Sequence, residues 1–208
     1  MKGVFKFRAE HWIVKSTIIR VSTLGEFVEA LRKVDPNAIF YHVYANIFFN
    51  CGESTSFFNN SFAYWLYKNN CLELAEKISA IDPIEYPDLE ELRRVFLKVL
   101  EEDPCVGTDR VMSPFYFLSV EREVVDYGLV ARNFKEFVEI FRNSSVNSVF
   151  YHSIAFRVDS KMPLNEYSLW LSSIGENKKA DLINKLDIYS MNLYEVKSEI
   201  VNILEEGR

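Results

Sequence analysis

Phe40, Tyr41 and His42 return as Phe150, Tyr151 and His152, a shift of 110 residues. Histidine titrates near neutral pH and its ring nitrogens bind metals, so a recurring Tyr-His pair is the first place to look for proton transfer. His42, His152, Tyr41 and Tyr151 are the candidate catalytic residues. Each histidine falls inside a strongly apolar segment, where an imidazole more often hydrogen-bonds to neighbouring backbone or to a carboxylate, and that structural role is the favoured reading. Adjacent helical positions point about 100° apart, so the tyrosines need not cooperate with the histidines beside them.

Trp65 and Trp170 offer flat faces on which a ligand could stack. With Asn60 and Asn165, five residues before them, they are the candidate ligand-binding residues. The competing reading makes the tryptophans anchors of a short helix beside leucine, and the asparagines its caps. Glu26, Glu29, Glu136 and Glu139 could form carboxylate pairs, but capping accounts for Glu26 and Glu136, and ion pairs with Arg32 and Arg142 account for the others. The chain carries no phosphate-binding loop, no G-x-G-x-x-G, no G-x-S-x-G and no H-E-x-x-H, and only 7 glycines in all. No cofactor and no metal site is expected. Cys51, Cys71 and Cys105 contain no C-x-x-C pair, which argues against a disulfide framework or a structural zinc site.

The elements that must position these residues are legible from periodicity. Val4, Phe5, Lys6, Phe7, Arg8 alternates apolar with basic side chains and reads as a strand, as does Phe115, Tyr116, Phe117 at the same shift. Thr17 to Val21 and Tyr127 to Ala131 read as a second short strand. Thr23 with Glu26, and Asn133 with Glu136, open a helix whose apolar stripe runs Leu24, Phe27, Val28, Leu31 or Phe134, Phe137, Val138, Phe141. Asp35 and Ser145 start the helices that carry the histidines. Asn60 and Asn165 cap a third helix ending near Asn70 and Gly175, a fourth ends at Asp82 or Asp187, and the last opens at Asp88 with Glu91 or Asn192 with Glu195.

Between Glu26 and His42 the chain matches Glu136 to His152 without a gap, and 9 of the 17 positions are identical: Glu26, Phe27, Val28, Glu29, Arg32, Asn37, Phe40, Tyr41 and His42. This reads as duplication. The expected fold is α+β and predominantly helical, with two tandem repeats, 1–106 and 107–208, each of one or two N-terminal strands and about five helices, packed with pseudo-twofold symmetry. The stretch from Cys51 to Asn59 is five residues longer than its counterpart, so a function special to one repeat could sit there.

Phe40, Tyr41, His42, then Asn60, Ser61, Phe62 with Trp65, Leu66, then Leu74, Ala75, Glu76, Lys77, Ile78 and Asp82, Pro83 resembles an uncharacterised prokaryotic domain-of-unknown-function family. The second repeat departs from that pattern at Lys178, Lys179 and at Asp187, Ile188, where the proline is lost. The resemblance implies a domain assignment and carries no activity. A shorter stretch, Trp170, Leu171, Ser172, Ser173, Ile174, Gly175, is similar to the start of helical interaction modules of the sterile-alpha-motif kind.

With 208 residues, 49% of them hydrophobic, the chain can bury one large core or two small ones. A net charge of −6 disfavours nucleic acid, whose backbone requires clustered Lys and Arg. No apolar run is long enough to span a bilayer, and the N-terminus lacks the plan of a secretory signal, so the expected setting is cytoplasmic, with no membrane partner. The leading reading is a non-catalytic binding or regulatory protein whose partner is a small molecule or a protein, with a homo-oligomer left open. The alternative is an enzyme with a His/Tyr/carboxylate site around His42 or His152.

Overall fold

The computed structural model describes residues 3–49, 58–108 and 110–206. The chain is α+β and mainly helical, with a two-stranded antiparallel sheet. In chain order, strand β1 (Phe5–Val21) leads to helices α1 (Leu24–Lys33), α2 (Pro36–Phe49), α3 (Ser61–Lys68), α4 (Leu72–Ser79) and α5 (Leu89–Glu101). Strand β2 (Phe115–Ala131) then precedes α6 (Phe134–Asn143), α7 (Val146–Phe150), a π-helical turn (Tyr151–Ala155), α8 (Phe156–Ser160), α9 (Glu166–Ser173), α10 (Asn177–Asn184) and α11 (Leu193–Glu205). Among the described residues, no helix is long and apolar enough to cross a membrane.

Local chemistry sets the helix starts. The Thr23 hydroxyl accepts from the Glu26 N–H while the Glu26 carboxylate returns to the cap, completing a capping box, and Asn192 and Glu195 do the same for α11. Asn133, Ser145, Asn60 and Asn165 each accept from the backbone N–H three residues on. After α3 and α9 the chain turns through positive φ at Asn70 and Gly175. Asp82 accepts from the Ile84 N–H to start a 3₁₀ turn at Pro83, whereas Asp187 makes no such cap where the proline is missing.

Two expectations are revised. Each pair of short strands is one strand of 17 residues: the stretch between them stays extended although it lacks a regular alternation, with Ala9, Glu10 and Val120 buried and Ile13, Val14 and Val124 exposed. Arg142 pairs with Glu205 of α11 at 2.5 Å, although Glu139 lies one turn away; Arg32 holds both Glu29 and Glu101.

By contacts the chain forms two compact units that do not follow the halves of the sequence. One gathers Trp12–Glu121, and the other gathers Met1–His11 with Arg122–Arg208. In the continuous unit, Phe115 and Phe117 at the start of β2 pack among Phe27, Phe62 and Trp65, with Phe27 stacked on Trp65 at 4.8 Å between centroids. The buried Arg93 donates to the carbonyls of Leu31 and Val34 and so ties α5 to the end of α1. In the discontinuous unit, Phe5 and Phe7 of β1 pack against Phe137, Tyr167 and Trp170. Each set of helices thus takes two phenylalanines from the start of the strand that lies further away along the chain.

Candidate functional site

His42 sits on α2 and is 4% exposed, with its ring against Phe62, Phe115 and Phe117. Its Nε2 accepts from the Leu118 N–H at 2.9 Å, which places the ring proton on Nδ1. Nδ1 is buried and meets no acceptor among the described residues. Burial among phenylalanines drives the imidazole down to about 3, so it is neutral at any ordinary pH.

His152 lies in the π-helical turn, is fully buried, and is held at both nitrogens. Nε2 accepts from the Arg8 N–H of β1 at 2.9 Å, and Nδ1 donates to the Glu166 carboxylate at 2.7 Å. Burial lowers this imidazole too, against the opposing pull of the Glu166 carboxylate. The other Glu166 oxygen takes Nη2 of Arg8 at 2.5 Å, and the Arg8 guanidinium lies over the Tyr151 ring, 4.9 Å from its centroid. Burial raises the Tyr41 and Tyr151 phenols, leaving both protonated at neutral pH.

Around Tyr151 a second charged group closes the cluster. Arg122 of β2 grips the Glu10 carboxylate with Nε at 2.8 Å and Nη2 at 2.7 Å, and reaches Asp159 of α8 with Nη1 at 2.7 Å. Glu10 is 0% and Arg122 13% exposed. Such a bidentate pair offsets the cost of burying a carboxylate only while both partners remain. In the continuous unit the aromatic cluster of Trp12 with Phe48, stacked at 4.0 Å, and with Phe40, Tyr41 and Phe49 fills the space beside Tyr41.

The other candidates are placed as follows. Trp65 and Trp170 are buried, and their Nε1–H groups donate to the carbonyls of Ser113 and Gly3, fastening α3 and α9 to strand starts. Asn60 and Asn165 are buried helix caps. The stretch from Cys51 to Phe57 lies outside the described residues. Among the described residues no three His, Cys, Asp or Glu side chains come together to hold a metal ion.

In the discontinuous unit a cavity of about 550 Å³ opens beside Arg8 and Glu166, lined further by Lys6, Asp126, Leu169 and Trp170. Glu166 is 19% exposed there, and His152 lies behind it, away from the lining. Sequence reasoning passed over Arg8, Glu166, Glu10, Arg122 and Asp159. Arg8 looked like the polar side of an alternating strand, and Glu166 followed a helix cap, where an acid is ordinary. The π-helical turn, a form that recurs at functional sites, has no composition signature of its own.

A family model described as a family of unknown function, DUF5752, matches residues 2–205. A search of curated proteins finds no match. Among solved structures the chain is similar to OrfY from Thermoproteus tenax, at 30% sequence identity and a TM-score of 0.86, over 98% of this chain and 95% of that one.

Proposed function

We propose that this chain, which belongs to the family of unknown function DUF5752, is a duplicated helical unit acting as a non-catalytic cytoplasmic binding or regulatory protein. Duplication is supported by parallel detail. Nε2 of His42 and of His152 each takes a strand N–H at residues 110 apart, and the tryptophan bonds reach Gly3 and Ser113, again 110 apart. The repeats have since divided their roles. A shift of 110 sets Arg8 against Leu118, Glu10 against Val120 and Arg122 against Trp12; a shift of 105 sets Glu166 against Ser61. Both units keep an aromatic core, but only the discontinuous one adds the charged groups Arg8, Glu10, Arg122 and Glu166, so the ligand site belongs beside Arg8 and Glu166, with Trp170 at its wall.

One observation carries the non-catalytic reading: both histidines, the side chains best suited to move protons at neutral pH, are buried and engaged with strand backbone. A thermal-shift library screened beside broad hydrolase and transferase assays tests it. Ligands that raise the unfolding midpoint without turnover are the expected outcome. Rapid turnover abolished by His152→Ala or His42→Ala, with the fold intact by circular dichroism, overturns it. The enzyme reading draws on the His152–Glu166 pair, whose carboxylate faces the cavity.

A further inference from the structure

The cavity beside Glu166 has a charge pattern that selects its ligand. Its charged lining is two cations, Lys6 and Arg8, and two anions, Asp126 and Glu166, set against the apolar Leu169 and Trp170. A ligand with one charge meets as much repulsion as attraction in such a ring, whereas a ligand with both charges can place each against its opposite. The carboxylate of Glu166 is fixed in advance: one oxygen is on Arg8 and the other on His152, and each keeps a lone pair free for a further donor. Arg8 is committed to Glu166, while among the described residues no carboxylate pairs with Lys6. Lys6 is therefore the cation left to meet an incoming carboxylate; among the described residues no cation pairs with Asp126, whose Oδ1 accepts from the Gly128 N–H, so Asp126 is the anion left to meet an ammonium, and Glu166 adds its spare lone pairs as acceptors. Trp170 has its Nε1–H taken by Gly3, so it offers the ligand only ring surface.

We infer that this cavity binds a free α-amino acid with an apolar side chain. Its ammonium lies against Glu166 and Asp126, its carboxylate against Lys6, and its side chain against Leu169 and Trp170. The volume suits a ligand of this size, since small-molecule sites run from about 300 to 1,000 Å³. The inference rests on the binding reading above and names its ligand class.

Isothermal titration calorimetry on the full chain with L-leucine and L-phenylalanine, against 3-phenylpropionate and 2-phenylethylamine, tests it. The amino acids bind, and each analogue lacking one charge binds at least about tenfold more weakly, as the loss of one charged contact requires. Lys6→Ala and Asp126→Asn, both at exposed positions, keep the unfolding midpoint of the parent and lose about tenfold or more in affinity for L-phenylalanine. Equal affinity for the singly charged analogues, affinity unchanged in both variants, or no heat from either amino acid at millimolar concentration overturns the inference. If a different compound from the thermal-shift library binds while the amino acids do not, the ligand class is wrong and the binding reading stands. Turnover would instead remove the binding reading itself.

Discussion

At the scale of residues, the two buried histidines differ in what they cost. His152 gives its Nδ1 proton to a carboxylate, while that of His42 is buried among phenyl rings and meets no acceptor among the described residues. With the folded imidazole of His42 at about 3 and the unfolded one near 6.5, both states are neutral above pH 6.5. As the pH falls from there, only the unfolded state takes up the proton, so stability drops, by on the order of 5 kcal/mol once pH 3 is reached. His42→Leu leaves the Leu118 N–H without its acceptor and costs about 1 to 3 kcal/mol at pH 7.5, yet its stability declines less steeply below pH 6.5. Urea unfolding at a series of pH values checks this, and parallel slopes for the two proteins would show that the ring titrates normally. The Glu10–Arg122 pair makes a complementary case. Arg122→Met strands a fully buried carboxylate and costs about 3 to 5 kcal/mol, and adding Glu10→Leu recovers most of that loss. A double variant no more stable than the single one would contradict it.

At the scale of elements, each long strand is interrupted by a residue of positive φ at the same point in the register: Ile18 at 60° and Gly128 at 70°. Glycine takes that conformation freely, whereas a β-branched side chain is driven against its own backbone. Ile18 is almost fully solvent-exposed, so its side chain contributes little packing to offset the strain. Ile18→Gly is expected to stabilise the chain by about 1 kcal/mol, read as a raised urea midpoint. A lowered midpoint would mean that Ile18 has packing that its exposure does not reveal. The π-helical turn acts at this scale as well. It interrupts the helix that carries His152, where α2 carries His42 without a break.

At the scale of the whole chain, the compact units and the sequence halves part company at the strands. Residues 12–121 are one continuous unit containing both strand stretches that its helices require. A fragment of residues 1–106 lacks Phe115, Phe117 and Leu118, and so loses the rings packed on Phe27 and the N–H that His42 accepts. Removing two large aromatic side chains from a core costs about 3 to 5 kcal/mol each, comparable with the stability of a small domain. Fragment 12–121 is therefore expected to unfold cooperatively with dispersed amide signals, while fragment 1–106 does not. Cooperative unfolding of 1–106 by circular dichroism would show that strand β2 is dispensable to these helices.

The sequence by itself determined the helices, because caps such as Thr23, Asn133 and Asn165 and the stripes that follow them are local: hydrogen bonds over three residues and a period of 3.6 need nothing from elsewhere. It also marked out His42 and His152 and pointed to structural roles for Trp65, Trp170, Asn60 and Asn165. Tertiary structure alone decided which strand start packs on which set of helices, because the alternating pattern of Phe5 and Phe7 is nearly that of Phe115 and Phe117 and fits either partner. It alone joined Arg8 to Glu166 and Arg122 to Glu10, pairs separated by 158 and 112 residues, and so placed a carboxylate on His152, whereas His42 has phenylalanine rings around it. No periodicity records such pairs, because the attraction acts through space between side chains whose local surroundings look like ordinary surface.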